Sequence, residues 1–396
     1  MSIYHSPTGR AGDRPDWNAL RSKFPHITMQ IPPVNFKALL DATEPEWRAR
    51  LEEFFARQHF ILGPELAAFE VEFARAMEAR FSVGVGTGTA AIELCLRHAG
   101  ITDPKQEVIA PALTAPFTGT AIVSAGCRIR FADIDPETLL MDPADVERRL
   151  TRRTAAIVPV HLYGQTCDMN RYRALAREAK AVLVQDACQA HGARWNGRPL
   201  TEFSRYVCHS FYPTKNLGAL GDGGAITTNS AGVDAGLRML RDGGRKRGKQ
   251  VAEIKGINSR LDDMQCCFLR SFLPKLEEWN GHRRKIAAVY TDALSDCAGV
   301  TLVRTSAESV RHLYVIRVRG RERLRTYLGE HGIGTGIHYA VPLHRMPAFR
   351  ECGLKAGDLP HAERACREVL SLPLWPYMPE SAAVEVAGRI RDYFRK

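Results

Sequence analysis

The chain has 396 residues, 45% hydrophobic and 25% charged, which is the make-up of a folded globular protein and excludes a disordered or collagen-like one. At roughly 150 residues per domain the length allows two or three domains, and no run reaches the roughly 18 apolar residues of a membrane-spanning helix. With 55 Lys and Arg against 44 Asp and Glu the formal charge is +11, which favours an anionic partner, nucleic acid or a phosphorylated small molecule, without choosing between them.

Residues 1–30 carry Gly and Pro without periodicity and read as an N-terminal extension. They hold no apolar signal-peptide core, so a cytoplasmic protein is expected. The ten cysteines form no CxxC pair. In a chain this long they read as small buried hydrophobes in a reducing compartment, not as metal ligands or a disulfide frame. Helical spacing over 47–58 and 64–79 leads into an alternation of elements. Strands are predicted over 81–86, 107–111, 128–134, 155–160, 181–185, 206–211 and 224–228. Helices are predicted over 90–100, up to Gly126, over 142–150 and over 168–179. This rhythm predicts an α/β fold with a mostly parallel sheet and helices on both faces. Its ligand site would lie beyond the carboxyl ends of the strands.

After about residue 262 the pattern changes. Residues 262–294 read as largely helical despite Pro274. They link to a smaller domain with a strand over 312–318, a helix starting near Gly320 and a segment at 332–339. The expected division is an extension at 1–30, a large domain with its linking helix at 31–294, and a small C-terminal α/β domain at 295–396.

Three motifs carry chemistry. GTGTAA (86–91) stands at a strand-to-helix junction, where two glycines let the backbone approach a ligand and the following helix N-terminus offers free N–H groups to an anion. It fits neither a dinucleotide fingerprint nor a Walker motif. VLVQDACQAHG (182–192) puts Asp186 at the end of a buried strand, where a carboxylate needs a partner. HSFYPTKNLGALGDGG (209–224) places Lys215 in a loop among small residues, where a lowered pKa would make it a nucleophilic amine. Each motif alone has a plain structural explanation: a tight turn, a salt bridge or helix cap, a solvated lysine. The case rests on their combination.

In that combination and order the motifs resemble the DegT/DnrJ/EryC1/StrS family of sugar aminotransferases. The resemblance extends to GINSRLDDMQ (256–265), GIGTGIHYAVPLH (332–344) and LSLPLWPYM (370–378), and covers roughly residues 50–390. It implies an aspartate aminotransferase-like fold (fold type I), a pyridoxal 5'-phosphate cofactor and a homodimer with shared active sites. Lys215 would hold the cofactor covalently and shuttle the proton, and Asp186 would pair with the pyridine nitrogen. Gln189 would bond the phenolic oxygen, and Gly88, Thr89 and Ser210 would hold the phosphate. Asn258 would reach that phosphate across the dimer interface, and His338 and Tyr339 would lie near the substrate. No metal is implied. The expected reaction moves an amino group from glutamate or glutamine to a keto-sugar, most simply a nucleotide-linked one, in amino-sugar biosynthesis. The wording around Lys215 is closer to members that aminate carbon 3 than carbon 4.

Three places depart from the family pattern. Ala115 stands where an aromatic residue usually stacks on the pyridine ring, with Phe117 two residues away. RDGGRKRGKQ (241–250) carries Arg241, Arg245, Lys246, Arg247 and Lys249, readable as a diphosphate clamp or as a solvated loop. The extension at 1–30 is unusually long. An aminocyclitol or inosose aminotransferase, or an enzyme for another keto acceptor, is the alternative. A sugar dehydratase is disfavoured because Lys215 is present. A DNA-binding regulatory protein is disfavoured because no nucleic-acid motif accompanies the charge.

Overall fold

The computed structural model describes residues 31–246 and 248–395. The extension over 1–30 lies outside them. Helices α1 (Phe36–Asp41), α2 (Glu44–Arg57) and α3 (Pro64–Ala76) precede strand β1 (Phe81–Val85). The alternating stretch follows: α4 (Gly88–His98), β2 (Glu107–Pro111), α5 (Pro116–Ser124), β3 (Arg128–Ala132), α6 (Pro143–Arg149), β4 (Thr154–Ile157), α7 (Met169–Glu178) and β5 (Val182–Asp186). A short hairpin, β6 (Arg194–Trp195) and β7 (Arg198–Pro199), leads to β8 (Tyr206–Ser210), β9 (Gly224–Thr228) and α8 (Ala231–Arg241). Helix α9 (Asp263–Phe272) and the long α10 (Leu276–Leu294) connect to β10 (Val300–Leu302), β11 (Tyr314–Val318), α11 (Arg321–Glu330), α12 (Pro360–Glu368), β12 (Val369–Leu372) and α13 (Glu380–Arg395).

The helix starts follow from short polar caps. Thr87, Asp142 and Asp168 each accept a first-turn amide, at 3.0, 2.9 and 3.0 Å. Residues 262–294 are largely helical, as expected, but Pro274 interrupts the helix. It sits in a 3-10 turn (Leu273–Lys275) that separates α9 from α10, because proline lacks the amide that an unbroken helix would need.

The main sheet has seven strands in the order β1-β9-β8-β5-β4-β2-β3. Only β9 runs against the rest, antiparallel to both β1 and β8. Cys208 of β8 meets Cys95 of α4, with sulfurs 3.5 Å apart. Its neighbour His209 meets Phe73 of α3, with ring centroids 5.0 Å apart. Consecutive strand residues point to opposite faces, so α4 and α3 cover opposite sides of the sheet. The second sheet, β10-β11-β12, is antiparallel. It packs with the second half of α10 and with α11 and α13 around Tyr290, Ile316, Leu324, Leu370 and Ile390.

The two cores do not divide where the sequence reading drew the line. Ile31 packs in the small-sheet core and pairs with Ile333, and Leu374 donates to the carbonyl of Pro33. In the other direction Leu343, Phe349 and Leu359 belong to the large core. Hydrophobic pattern marks which residues are buried, not which core takes them.

The end of β1 is held by a buried ion pair. Glu70 accepts from the Gly84 amide at 2.8 Å, from Arg238 at 2.6 Å and from Arg241. Arg241 also donates to the Gly84 carbonyl at 2.6 Å. This fixes the strand immediately before the turn at 86–88. Glu70→Ala leaves the buried Arg241 uncompensated and is expected to cost about 3–5 kcal/mol. Urea unfolding at unchanged slope measures this, and a loss below about 1 kcal/mol would show that the clamp is not a stability element.

Candidate active site

The carboxyl ends of the co-directed strands open onto one cavity of about 500 Å³. Gly88 and Thr89 reach it after β1, Thr114 and Ala115 after β2, and Val160 after β4. Asp186 and Ser210 reach it at the ends of β5 and β8. Lys215, Gln189, His338 and Tyr339 complete the wall. Eight of the nine site residues expected from sequence therefore share one space: Lys215, Asp186, Gly88, Thr89, Gln189, Ser210, His338 and Tyr339.

Asp186 is 4% exposed. Its Oδ2 accepts from Thr118 Oγ1 at 2.8 Å and its Oδ1 from the Cys188 amide at 3.1 Å. Both donors are uncharged, and among the described residues no Lys, Arg or His nitrogen lies within salt-bridge distance of this carboxylate. The salt-bridge explanation of Asp186 is thereby removed. A buried carboxylate without a cation is costly and suits a protonated ring nitrogen entering from the cavity.

Helix α4 points its N-terminus into the same space. Thr87 Oγ1 takes the Ala90 amide, which leaves the first two amides, Gly88 and Thr89, without an intrahelical acceptor. A Cβ on Gly88 would stand 2.7 Å from Cys188 Sγ and 2.7 Å from Ser210 Cβ. Glycine is thus the residue that lets the helix start approach the strand end. The Ser210 hydroxyl lies beside it and accepts only the Tyr212 amide, at 3.3 Å. Open amides, a hydroxyl and a helix N-terminus make an anion cradle. A ligand with a phosphate at one end and a cationic ring nitrogen at the other fits the residues present.

Lys215 lies partly buried on a tight loop whose amide donates to the Tyr212 carbonyl at 2.9 Å. Burial lowers its pKa, and the nearby Cys188 and Asp186 oppose the shift. The amine is therefore more readily neutral than a surface lysine.

Gln189 is oriented by Tyr163, whose amide donates to Gln189 Oε1 at 2.7 Å. Gln189 Nε2 donates to the Tyr339 hydroxyl at 3.1 Å, leaving its second N–H for a ligand. The Tyr163 hydroxyl donates to the carbonyl of His338. Tyr163 holds a left-handed backbone at φ 60°, where a non-glycine residue is uncommon. His338 Nδ1 lies 2.8 Å from Ser371 Oγ, and burial pushes the imidazole down to about 4, with Lys215 adding to the shift.

Asn258 stands apart. It is exposed, pairs with Asp242 along the backbone and does not line the cavity. Ala115 lines the wall as the residue before α5, and Phe117 lies at the rim, 63% exposed. The five-cation clamp loses members. Arg241 is buried on Glu70, Arg245 pairs with Asp242, and Lys246 pairs with Glu253. Arg247 lies outside the described residues. Sequence reasoning missed Thr118, Tyr163, Cys188 and His312, all of which touch the site or its residues. No local pattern marks them, although Cys188 stands inside the Asp186 motif.

The family profile of the DegT/DnrJ/EryC1/StrS aminotransferases matches residues 41–391, and the chain belongs to that family. It is 40% identical over 372 residues to a pleiotropic regulatory protein of Geobacillus stearothermophilus, covering 93% of this chain and 99% of that one. It is 40% identical over 368 residues to a dTDP-3-amino-3,4,6-trideoxy-alpha-D-glucose transaminase of Streptomyces venezuelae, covering 92% and 97%. Among solved structures it is similar to S. venezuelae DesV in complex with a ketimine intermediate, with TM-score 0.89, 39% identity and coverage of 92% and 99%.

Gly88→Ala tests the anion cradle. The added methyl must displace Cys188 and Ser210, a change that costs about 1–3 kcal/mol when space is lacking. Affinity for pyridoxal phosphate, followed by titration, is expected to fall by about tenfold or more. Unchanged affinity would place the phosphate elsewhere.

Proposed function

We propose that this member of the family is a pyridoxal-phosphate-dependent aminotransferase that moves an amino group from glutamate or glutamine to carbon 3 of a nucleotide-linked keto-sugar. It would work as a homodimer with shared sites. The observation that carries this reading is the buried Asp186, without a salt-bridge partner among the described residues, in one cavity with Lys215 and the open N-terminus of α4. The S. venezuelae relative, named for a dTDP-linked 3-amino sugar, supports the acceptor class and the carbon.

When bound, the cofactor's pyridine ring supplies an electron sink for breaking the bond from carbon to hydrogen beside the amino nitrogen. Asp186 would hold the proton on the ring nitrogen, with Thr118 and the Cys188 amide fixing both carboxylate oxygens. The Gly88 and Thr89 amides and the Ser210 hydroxyl would hold the phosphate. The second N–H of Gln189 would meet the phenolic oxygen. Lys215 Nζ would hold the cofactor at rest and, once released, take a proton from one carbon and return it to the next. The same amine serves both half-reactions, so ping-pong kinetics follow. His338 and Tyr339 would meet the sugar from the small-domain side. Asn258, exposed and outside its own cavity, would complete the partner subunit's phosphate site. A regulatory role has the +11 charge and the names of two relatives behind it, and no nucleic-acid motif.

Absorption spectroscopy tests the core of this reading. With pyridoxal phosphate the protein should show a visible band that glutamate or glutamine bleaches. Absence of a band would overturn the cofactor, and an unbleached band would overturn the donor. A nucleotide-linked 3-keto sugar should then restore the band faster than its 4-keto isomer or an inosose. Lys215→Ala should abolish turnover, and retained turnover would remove Lys215 from the mechanism.

Dimers mixed from Lys215→Ala and Asn258→Ala chains should regain activity, because one site then has both residues intact. Activity no higher than the mean of the two parent homodimers would show that Asn258 does not act across the interface.

A further inference from the structure

Thr114 lines the cavity with Asp186, and the reading above gives it no task. It is 1% exposed and stands between β2 and α5, shortly before Pro116 opens the helix. Among the described residues its hydroxyl has a single hydrogen-bond partner, Thr118 Oγ1 at 3.2 Å. Thr118, one turn further on, is 2% exposed and donates to Asp186 Oδ2 at 2.8 Å.

A hydroxyl carries one hydrogen. The hydrogen of Thr118 goes to Asp186, so the hydrogen between the two threonines is that of Thr114. The order of donation is thereby fixed, from Thr114 to Thr118 and from Thr118 to the carboxylate.

The helix alone would not send the Thr118 hydrogen this way. A hydroxyl inside a helix commonly donates to the carbonyl four residues back. Thr120 of the same helix does so, to Pro116 at 3.1 Å. Thr291 of α10 and Ser271 of α9 do the same, both at 2.9 Å. For Thr118 the carbonyl four residues back belongs to Thr114. Thr118 bonds Asp186 in its place, and the residue that owns the rejected carbonyl supplies the hydroxyl that braces the choice.

Helix α5 has little room to shift. A Cβ on Gly119 would stand 2.7 Å from Phe349 Cζ and 3.3 Å from Leu343 Cδ1. With the helix seated, the freedom left at Thr118 is rotation of its own side chain, and the Thr114 hydroxyl removes it.

We propose that Thr114 is a positioning residue for the cofactor: it aims the Thr118 hydrogen at Asp186, and so keeps the proton between Asp186 and the pyridine nitrogen on the nitrogen. A carboxylate oxygen that already accepts a hydrogen bond takes up a proton less readily. The ring then stays cationic, which is the form that withdraws electrons. The inference rests on the pyridoxal-phosphate reading of the site.

Neutron diffraction from cofactor-loaded crystals exchanged into D2O tests the order of donation with no variant to fold. Deuterium should lie from Thr118 Oγ1 toward Asp186 Oδ2, and from Thr114 Oγ1 toward Thr118 Oγ1. A Thr118 deuterium directed at the Thr114 carbonyl, or a Thr114 deuterium directed away from Thr118, overturns the proposal. The second measurement uses pyridoxal phosphate labelled with 15N in the ring. In Thr114→Val, which keeps the shape and loses the hydroxyl, the ring-nitrogen resonance should move toward that of unprotonated pyridine. Thr114→Ser should restore it. Both half-reactions of Thr114→Val should slow by about threefold or more at saturating substrate, with KM little changed. An unmoved resonance in Thr114→Val overturns the proposal, and a resonance that Thr114→Ser displaces equally would trace to the lost methyl and do the same. A parent enzyme without a visible band fails the pyridoxal-phosphate reading, whereas a normal band with either of those results fails the positioning role alone.

Discussion

The carboxylate of Asp186 stands in a place where water barely reaches it. It is 4% exposed, accepts two uncharged donors and has no cation of the described residues within salt-bridge distance. A charge so placed costs several kcal/mol unless it is compensated, so the surrounding fold must hold it by force of geometry. The sheet does this through the backbone. The Asp186 amide donates to Pro159 and its carbonyl accepts from His161, at 3.0 and 2.9 Å. Thr118 brings the start of α5 onto the same carboxylate, which sets Ala115 and Phe117 at the cavity wall. The charge left over becomes a demand on the ligand.

A second dependence runs across the junction of the two cores. Tyr163 sits in a short turn after β4 with a left-handed backbone. From there its amide orients Gln189, its carbonyl accepts the His312 amide, and its hydroxyl donates to the His338 carbonyl. One residue of the large domain therefore fixes three cavity residues, two of which come from the segments that build the small sheet. Strained backbone persists where the surroundings over-determine it, and this turn is bonded on every side. Gly164, next in the chain, reinforces it, because a Cβ there would stand 2.7 Å from the His312 amide.

Much of this was legible beforehand, for reasons that differ by residue. The strands at 107–111 and 224–228 lie where their apolar runs place them. Asp168 and Asp142 announced their helices by cap chemistry. The helix at 231–241, the strand at 369–372 and the last helix were not read from the pattern. Arg241 looked like one of five loop cations but is the buried partner of Glu70, 171 residues away. Ile31 looked like the start of the large domain but lies in the small core. Charge and hydrophobicity are visible in a sequence; the partner that neutralises or buries them is not.

By itself the sequence determined the order of elements, the switch from alternating strands and helices to a largely helical stretch, and the chemical groups offered at the strand ends. Those are local properties, written in spacing, capping residues and motif wording. Only the tertiary structure decided that Asp186 is bonded by Thr118 and not by a salt-bridge partner, and that Gln189 keeps one N–H free. Those states depend on contacts between residues 68 and 150 positions apart. A hydrogen bond has a direction and a limited number of sites, so each group's free capacity is known only after its partners have been located in space.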